Sequence, residues 1–235
     1  MKIAIMQPYF LPYIGYFQLI KAVDKFVIYD NIQFAKKGWI NRNRILVNGK
    51  DEFITIPLRK DSDYLDIDKR YLADTFELDS KKMLRRIKES YRKAPYFEPI
   101  YLLAEDVLNC KDKNLFIFLF NSISLICKYL EIHTEFIISS AVDIDNTLRS
   151  EQKVLAIVKK MNAHAYVNPI GGLTLYSKEN FGKEGVELRF IQSNTLVYRQ
   201  FDTEFVPWLS ILDVMMFNSK EEIKEMLDSF TLKVT

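Results

Sequence analysis

The densest chemistry in the sequence lies between Asp30 and Arg44, in the run DNIQFAKKGWINRNR. Lys36, Lys37, Arg42 and Arg44 supply cations, Asn41 and Asn43 supply amides, and Trp39 supplies an indole. Phosphates and carboxylates are held by clustered cations and sugar hydroxyls by amides, while a flat aromatic face suits a sugar or base ring. The same residues also suit an exposed basic loop whose polar side chains serve a hairpin.

Three further segments could contribute. The run QPYFLPYIGY, Gln7 to Tyr16, joins a predicted strand to a predicted helix, where free backbone N–H groups and the helix dipole favour an anion. Gln7, Tyr13 and Tyr16 are its candidate ligand contacts. Two prolines stiffening a tight connection, with tyrosines filling core, would account for the same residues. In YVNPIGGLTLY, Asn168 ends a predicted strand and can present an amide, and Gly171 and Gly172 permit close approach of a ligand to backbone, or simply a turn. In WLSILDVMMF, Asp213 interrupts an apolar helix, so it is either paired inside or faces a cleft.

Much other chemistry is excluded. With only His133 and His164 as histidines, and Cys110 and Cys127 at neither metal-ligand nor redox spacing, a catalytic zinc site or a Cys/His nucleophile pair lacks members. No metal ligand set or cofactor motif emerges. The candidate general base is therefore a carboxylate, Asp30 or Asp213, and the residues alone do not choose between them. With 33 Lys+Arg against 31 Asp+Glu the net charge is +2, so any anion must be recognised by a local cluster rather than a global field. No RNA-binding motif accompanies the basic and aromatic residues, and nucleic acid is not an expected partner. The start of the chain lacks a secretory signal, so a cytoplasmic protein with reduced thiols is expected. The apolar stretch Leu115 to Leu130 is broken by Asn121, Ser122, Ser124 and Lys128 and is too short to span a bilayer.

These residues need a scaffold, and the patterning predicts one α/β domain over 1–235 with a mostly parallel sheet and a helical middle section at approximately 77–131. Lys2 to Met6 and Phe26 to Tyr29 are predicted strands around a helix from Gly15 to Val23, an arrangement favouring a parallel pair. Asn48-Gly49 marks a hairpin between Arg44–Val47 and Phe53–Leu58. Predicted helices cover Lys81–Arg92 (capped by Asp79-Ser80), Pro99–Asn109, Asn114–Glu131, Leu148–Met161 (capped by Asn146 or Thr147, with Glu151 and Lys153 exposed), Ser177–Phe181, Trp208–Phe217 and Glu221–Phe230. Predicted strands cover Glu135–Ser139, Ala165–Asn168 and Glu187–Gln192, with a loop at Pro169–Gly172.

The four segments, in this order, resemble the WbqC-like protein family, associated with bacterial O-antigen and other surface-polysaccharide gene clusters. That resemblance implies a transferase of lipopolysaccharide biosynthesis that attaches a glycyl or related acyl group to an amino-sugar carried as a nucleotide-sugar or sugar phosphate. A second resemblance is to the His-x-Gly-His loop of nucleotidylyltransferases, with Tyr13 and Tyr16 at the places of the histidines. It implies an enzyme that activates a small acid or sugar phosphate with a nucleoside triphosphate and Mg²⁺. Tyrosine cannot supply imidazolium charge, so Lys36, Lys37 or Arg42 would have to provide it. A non-catalytic sugar-nucleotide binding protein is the third reading.

Overall fold

The structure, a computed structural model, describes residues 1–201 and 204–234. A six-stranded sheet runs through its centre in the order β5-β2-β1-β6-β7-β8. Its strands are β1 (Lys2–Met6), β2 (Lys25–Ile28), β5 (Glu135–Ile138), β6 (Ala165–Pro169), β7 (Glu187–Ser193) and β8 (Phe230–Val234). All neighbours pair in parallel except β7 and β8. β1 and β2 are joined through α1 (Ile14–Lys21), as the opening run of the sequence predicts.

Both faces of the sheet are buried at its central strands β1, β2 and β6, which explains why these read as apolar runs rather than alternating ones. Ala4 of β1, Phe26 and Ile28 of β2 and Val167 of β6 face a large core shared with α1 and the helical section, α2 (Phe76–Tyr91), α3 (Phe97–Leu108) and α4 (Leu115–Tyr129). Ile3, Ile5, Val27 and Tyr166 point the other way, against α5 (Ser150–Lys160) and α6 (Lys178–Lys183). The hairpin β3 (Arg42–Val47) and β4 (Lys50–Thr55) forms a separate two-stranded sheet. Its Asn48 and Gly49 both have positive φ, the geometry a tight primed turn requires. Two helices, α7 (Ile211–Phe217) and α8 (Lys220–Asp228), precede the last strand.

Several expectations need correction. α2 begins at Phe76 rather than Lys81, because Phe76 is buried in register with Ser80, Met83 and Ile87, and Asp79 lies in the first turn instead of capping it. The second hairpin strand is Lys50–Thr55, since a two-residue turn pairs Val47 directly with Lys50. α5 begins at Ser150 with Arg149 at its N-cap; Asn146 and Thr147 belong to a turn that Asp145 holds through Thr147 N. Lys153 is 7% exposed, not on an outer face. Residues Ile170–Leu175 form 3-10 turns where a loop is predicted. α7 starts at Ile211, with Ser210 capping it, and α8 stops at Asp228 so that Phe230–Val234 can add an antiparallel strand to β7. Among the described residues no helix is long and apolar enough to cross a membrane.

Candidate functional site

β1 lies between β2 and β6, so the chain leaves the carboxyl ends of neighbouring parallel strands in different directions and opens a crevice there. A cleft of about 1070 Å³ occupies this place. After β1 it is lined by Gln7, Tyr9 and Tyr13; after β2 by Tyr29, Asn31 and Gln33; at the end of β6 by Asn168 and beyond it by Gly171 and Gly172. Tyr64, Asp66, Asp68 and Lys69 close it on one side, and Asn146, Arg149, Glu151 and Lys153 from the start of α5 on another.

The loop after β1 is shaped from behind. Leu11 has φ 43, a left-handed conformation that a leucine adopts only when its surroundings impose it. Its carbonyl oxygen accepts from Asn43 Nδ2 at 2.8 Å and Ser210 Oγ at 2.9 Å, and Asn43 Nδ2 also donates to Phe10 O at 3.1 Å. Buried Asn43 therefore braces the loop that carries Gln7 and Tyr13 to the cleft. Tyr16, also at the cleft, donates its hydroxyl to Gln7 O at 2.9 Å, and burial pushes its pKa well above the usual phenol range. Burial likewise raises Tyr9 and Tyr13. These phenols are neutral donors and acceptors.

On the β6 side, Asn168 Oδ1 accepts from the Tyr166 hydroxyl at 3.1 Å and Nδ2 donates to Pro169 O at 3.2 Å. Gly172 lies against that amide so closely that a Cβ there would collide with Asn168 Nδ2. The requirement for glycine at Gly172 is thus one of space, while Gly171 meets no such neighbour.

The candidates from sequence separate into two groups. Gln7, Tyr13, Tyr16, Asn168, Gly171 and Gly172 come together around the cleft. The basic run from Lys36 to Arg44 does not line it, and most of its polar side chains have partners elsewhere, in their own loop, in the hairpin, in the segment after it and at Trp208. Lys36 pairs with Asp63, Arg42 donates to Gly38 O and to Lys37 O, and Asn41 donates to Ile56 O. Arg44 pairs with Asp51 and donates to Trp208 O, and Trp39 stands 6.1 Å from the Phe53 ring. Lys37 is exposed, with φ 62, in that same turn.

Neither candidate base, Asp30 or Asp213, lines the cleft. Asp213 is fully buried away from the cleft and takes Tyr91 Oη at 2.8 Å on one oxygen, and Tyr198 Oη at 2.6 Å and Gln200 Nε2 at 2.7 Å on the other. Burial raises its pKa against the pull of those three donors. Asp30 lies one residue behind the cleft, where its Oδ1 accepts from Ser140 N at 2.9 Å and sits 2.7 Å from Ser139 Oγ. The acids that line the cleft are Asp66, Asp68 and Glu151. Glu151 is occupied by Ser177 N and Asn180 Nδ2, whereas Asp68 places Oδ2 2.7 Å from Lys69 Nζ and leaves a buried Oδ1 with no hydrogen-bond partner among the described residues.

Residues 7–225 match the WbqC-like protein family. The chain belongs to that family. This WbqC-like chain is also 28% identical over 228 residues to an uncharacterized Mycobacterium tuberculosis protein, Rv1507c, in an alignment covering 96% of this chain and 97% of that one. No solved structure matches the WbqC-like chain. Among the described residues no cluster of His, Cys, Asp and Glu could hold a metal ion.

The cations at the cleft of this WbqC-like protein are Lys69, Arg149 and Lys153, none of which sequence reasoning had singled out for binding. They are dispersed in sequence and become neighbours of the cleft only through tertiary packing. One clue was legible: Lys153 immediately precedes Val154 and lies four residues before Ile157, beside the apolar stripe of α5.

Proposed function

We propose that this WbqC-like protein is a transferase of bacterial surface-polysaccharide assembly that passes a glycyl or related acyl group to the amine of an amino-sugar, carried as a nucleotide-sugar or sugar phosphate. The supporting observation is the composition of the cleft: tyrosine rings beside side-chain amides, at the carboxyl edge of a parallel sheet. Rings such as Tyr13 and Tyr29 offer flat faces to a pyranose or base, and Gln7, Asn31 and Asn168 offer amides to hydroxyl and acetamido groups.

In this reaction the sugar amine attacks the acyl carbonyl carbon, the carbon–leaving-group bond breaks with its electrons departing on the leaving group, and the surplus ammonium proton passes to a carboxylate. Asp213 is poorly suited to that role, being enclosed by three donors outside the cleft. Asp30 lies behind Asn31 and outside the cleft lining, which leaves Asp68, paired with Lys69 through Oδ2 and lining the cleft, as the carboxylate assigned to take the proton.

The test is incubation with nucleotide-linked amino-sugars and activated glycyl or acyl donors, followed by mass spectrometry. Appearance of the amide-linked product, greatly reduced in Asp68→Asn, supports the reading; absence of product across amino-sugars and donors refutes it.

The nucleotidylyltransferase alternative draws on one observation, that Tyr13 of the β1–α1 loop and Gly15 in the first turn of α1 line the cleft. Against it, Tyr16 is committed to Gln7 O and neither phenol carries positive charge. Pyrophosphate release from a nucleoside triphosphate with Mg²⁺ and a small acid or sugar phosphate would favour that alternative. Ligand-induced thermal stabilisation without either turnover would favour a binding protein.

A further inference from the structure

The start of α5 carries an unusual pair of cations. Lys153 is buried as a residue, 7% exposed, yet among the described residues the only polar partners of its Nζ are the O and Oδ1 of Asn31, at 3.0 and 2.9 Å, with the Tyr29 ring 5.2 Å away. One turn earlier Arg149 gives Nη1 to Asn146 O and Leu148 O, at 2.6 and 2.9 Å, and its Nε and Nη2 have no hydrogen-bond partner among the described residues. Neither forms an ion pair among the described residues. The nearby carboxylate of Glu151 is consumed by Ser177 N and Asn180 Nδ2, and Asp30 and Asp66 act on Lys153 only as more distant charges.

Burying an ammonium against neutral amides alone is costly, and proteins ordinarily offset that cost with a counter-ion. Here the protein supplies acceptors on one side and the open cleft lies on the other, because both side chains line it. Burial and the Arg149 charge lower the Lys153 pKa, the response of a cation whose compensating charge is not on the protein. The first turn of α5 adds backbone N–H groups that no side chain caps. Lys69, the third cation at the cleft, is already matched by Asp68.

We propose that Arg149 and Lys153 form the anion subsite of the cleft and hold the phosphate groups of a diphosphate-bearing sugar substrate. The assignment of the sugar rests on the proposed function; the anion subsite itself does not. Arg149 offers a planar fork to non-bridging oxygens from the solvent side, Lys153 a point charge from below, and Asn31 fixes the ammonium between them. The tyrosine and amide wall formed by Gln7, Tyr13 and Asn168 then faces the remainder of the ligand.

The full-length protein is titrated calorimetrically with inorganic pyrophosphate, with a uridine diphosphate sugar, and with the corresponding free sugar. Pyrophosphate and the nucleotide-sugar are expected to bind and to compete. Arg149→Gln and Lys153→Met should each weaken both by tenfold or more, Lys153→Arg should retain most of the affinity, and a Lys36→Ala/Lys37→Ala double variant should bind as the unaltered protein does. Arg149 is exposed, so its variant remains informative even if Lys153→Met fails to fold. Absence of pyrophosphate binding, or binding unchanged in Arg149→Gln, overturns the subsite. Acyl transfer to a free amino-sugar without pyrophosphate binding would overturn the subsite and leave the enzymatic reading standing. Pyrophosphate binding that depends on Arg149, without acyl transfer, would do the reverse.

Discussion

Lys153 Nζ lies 2.9 Å from Asn31 Oδ1, and that same oxygen stands 2.7 Å from Ser139 Oγ, which in turn stands 2.7 Å from Asp30 Oδ1. The end of β2, the residue after β5 and the first turns of α5 are thereby joined through one asparagine side chain. The Ser139 hydroxyl has a single proton, so it serves either Asp30 or Asn31 at any moment, whereas the ammonium serves Asn31 throughout.

Anion affinity should fall with rising pH earlier than for an ordinary lysine. Folding lowers the Lys153 pKa below 10.5, chiefly through burial and then through Arg149, against Asp66 and Asp30. The charge that attracts an anion is therefore lost before an unperturbed lysine would lose it. Pyrophosphate titrations across the alkaline range should show this fall, and Lys153→Arg, whose guanidinium stays charged, should abolish it. The stability effect has the opposite sense: the unfolded chain binds the proton more tightly, so this group's contribution to stability rises with pH through the same window.

Asp213 should govern stability rather than turnover. Asp213→Ala leaves Tyr91, Tyr198 and Gln200 without their common acceptor and should cost at least about 2 kcal/mol in denaturant unfolding. Its folded pKa is raised, so its contribution is fully present below the unfolded value and declines as pH rises through the folded one. The gap between the unaltered and Ala proteins should accordingly be widest in acid. A gap that widens towards neutral pH would contradict the burial argument.

Arg42→Ala should affect the fold and not the ligand. It removes donors to Gly38 O and Lys37 O and a guanidinium 4.6 Å over the Phe53 ring, for an expected loss of about 1–2 kcal/mol. Nucleotide-sugar affinity measured on the folded protein should stay within twofold. A tenfold loss of affinity would return the basic run to the binding site.

Gly172→Ala should push the Asn168 amide out of place, since the new methyl and Nδ2 cannot share the space. Ligand affinity should drop by fivefold or more, while Gly171→Ala, facing open space, should have little effect on the same measurement.

Local chemistry made much of this fold legible. The Asn48-Gly49 turn, the apolar β1 and β2 around a short helix, and the Asn114 cap on α4 each carry their own instructions within a few residues. Boundaries failed where a distant partner decides them. Asp79-Ser80 has the composition of a helix start, yet Phe76 is drawn into the core and α2 begins there, five residues before Lys81. Phe230–Val234 becomes a strand only because the β7 edge is there to receive it. At the cleft, clustering of cations in sequence proved a poor guide. Lys36, Arg42 and Arg44 are taken up by Asp63, by backbone of their own loop and by Asp51 with Trp208 O, whereas Arg149 and Lys153, far along the chain, reach the cleft through α5.

The placement of β1 between β2 and β6 also bears on synthesis. β2 is available to β1 as soon as the first turns of the chain leave the ribosome, but the partner of Lys2 on the other side is Ala165. Until that residue emerges, β1 carries an open hydrogen-bonding edge amid the apolar side chains of Ile3, Ala4 and Ile5. While residues 29–164 are being made β1 is therefore half-paired, a period when chaperones, or premature contact with another copy, find an open strand edge.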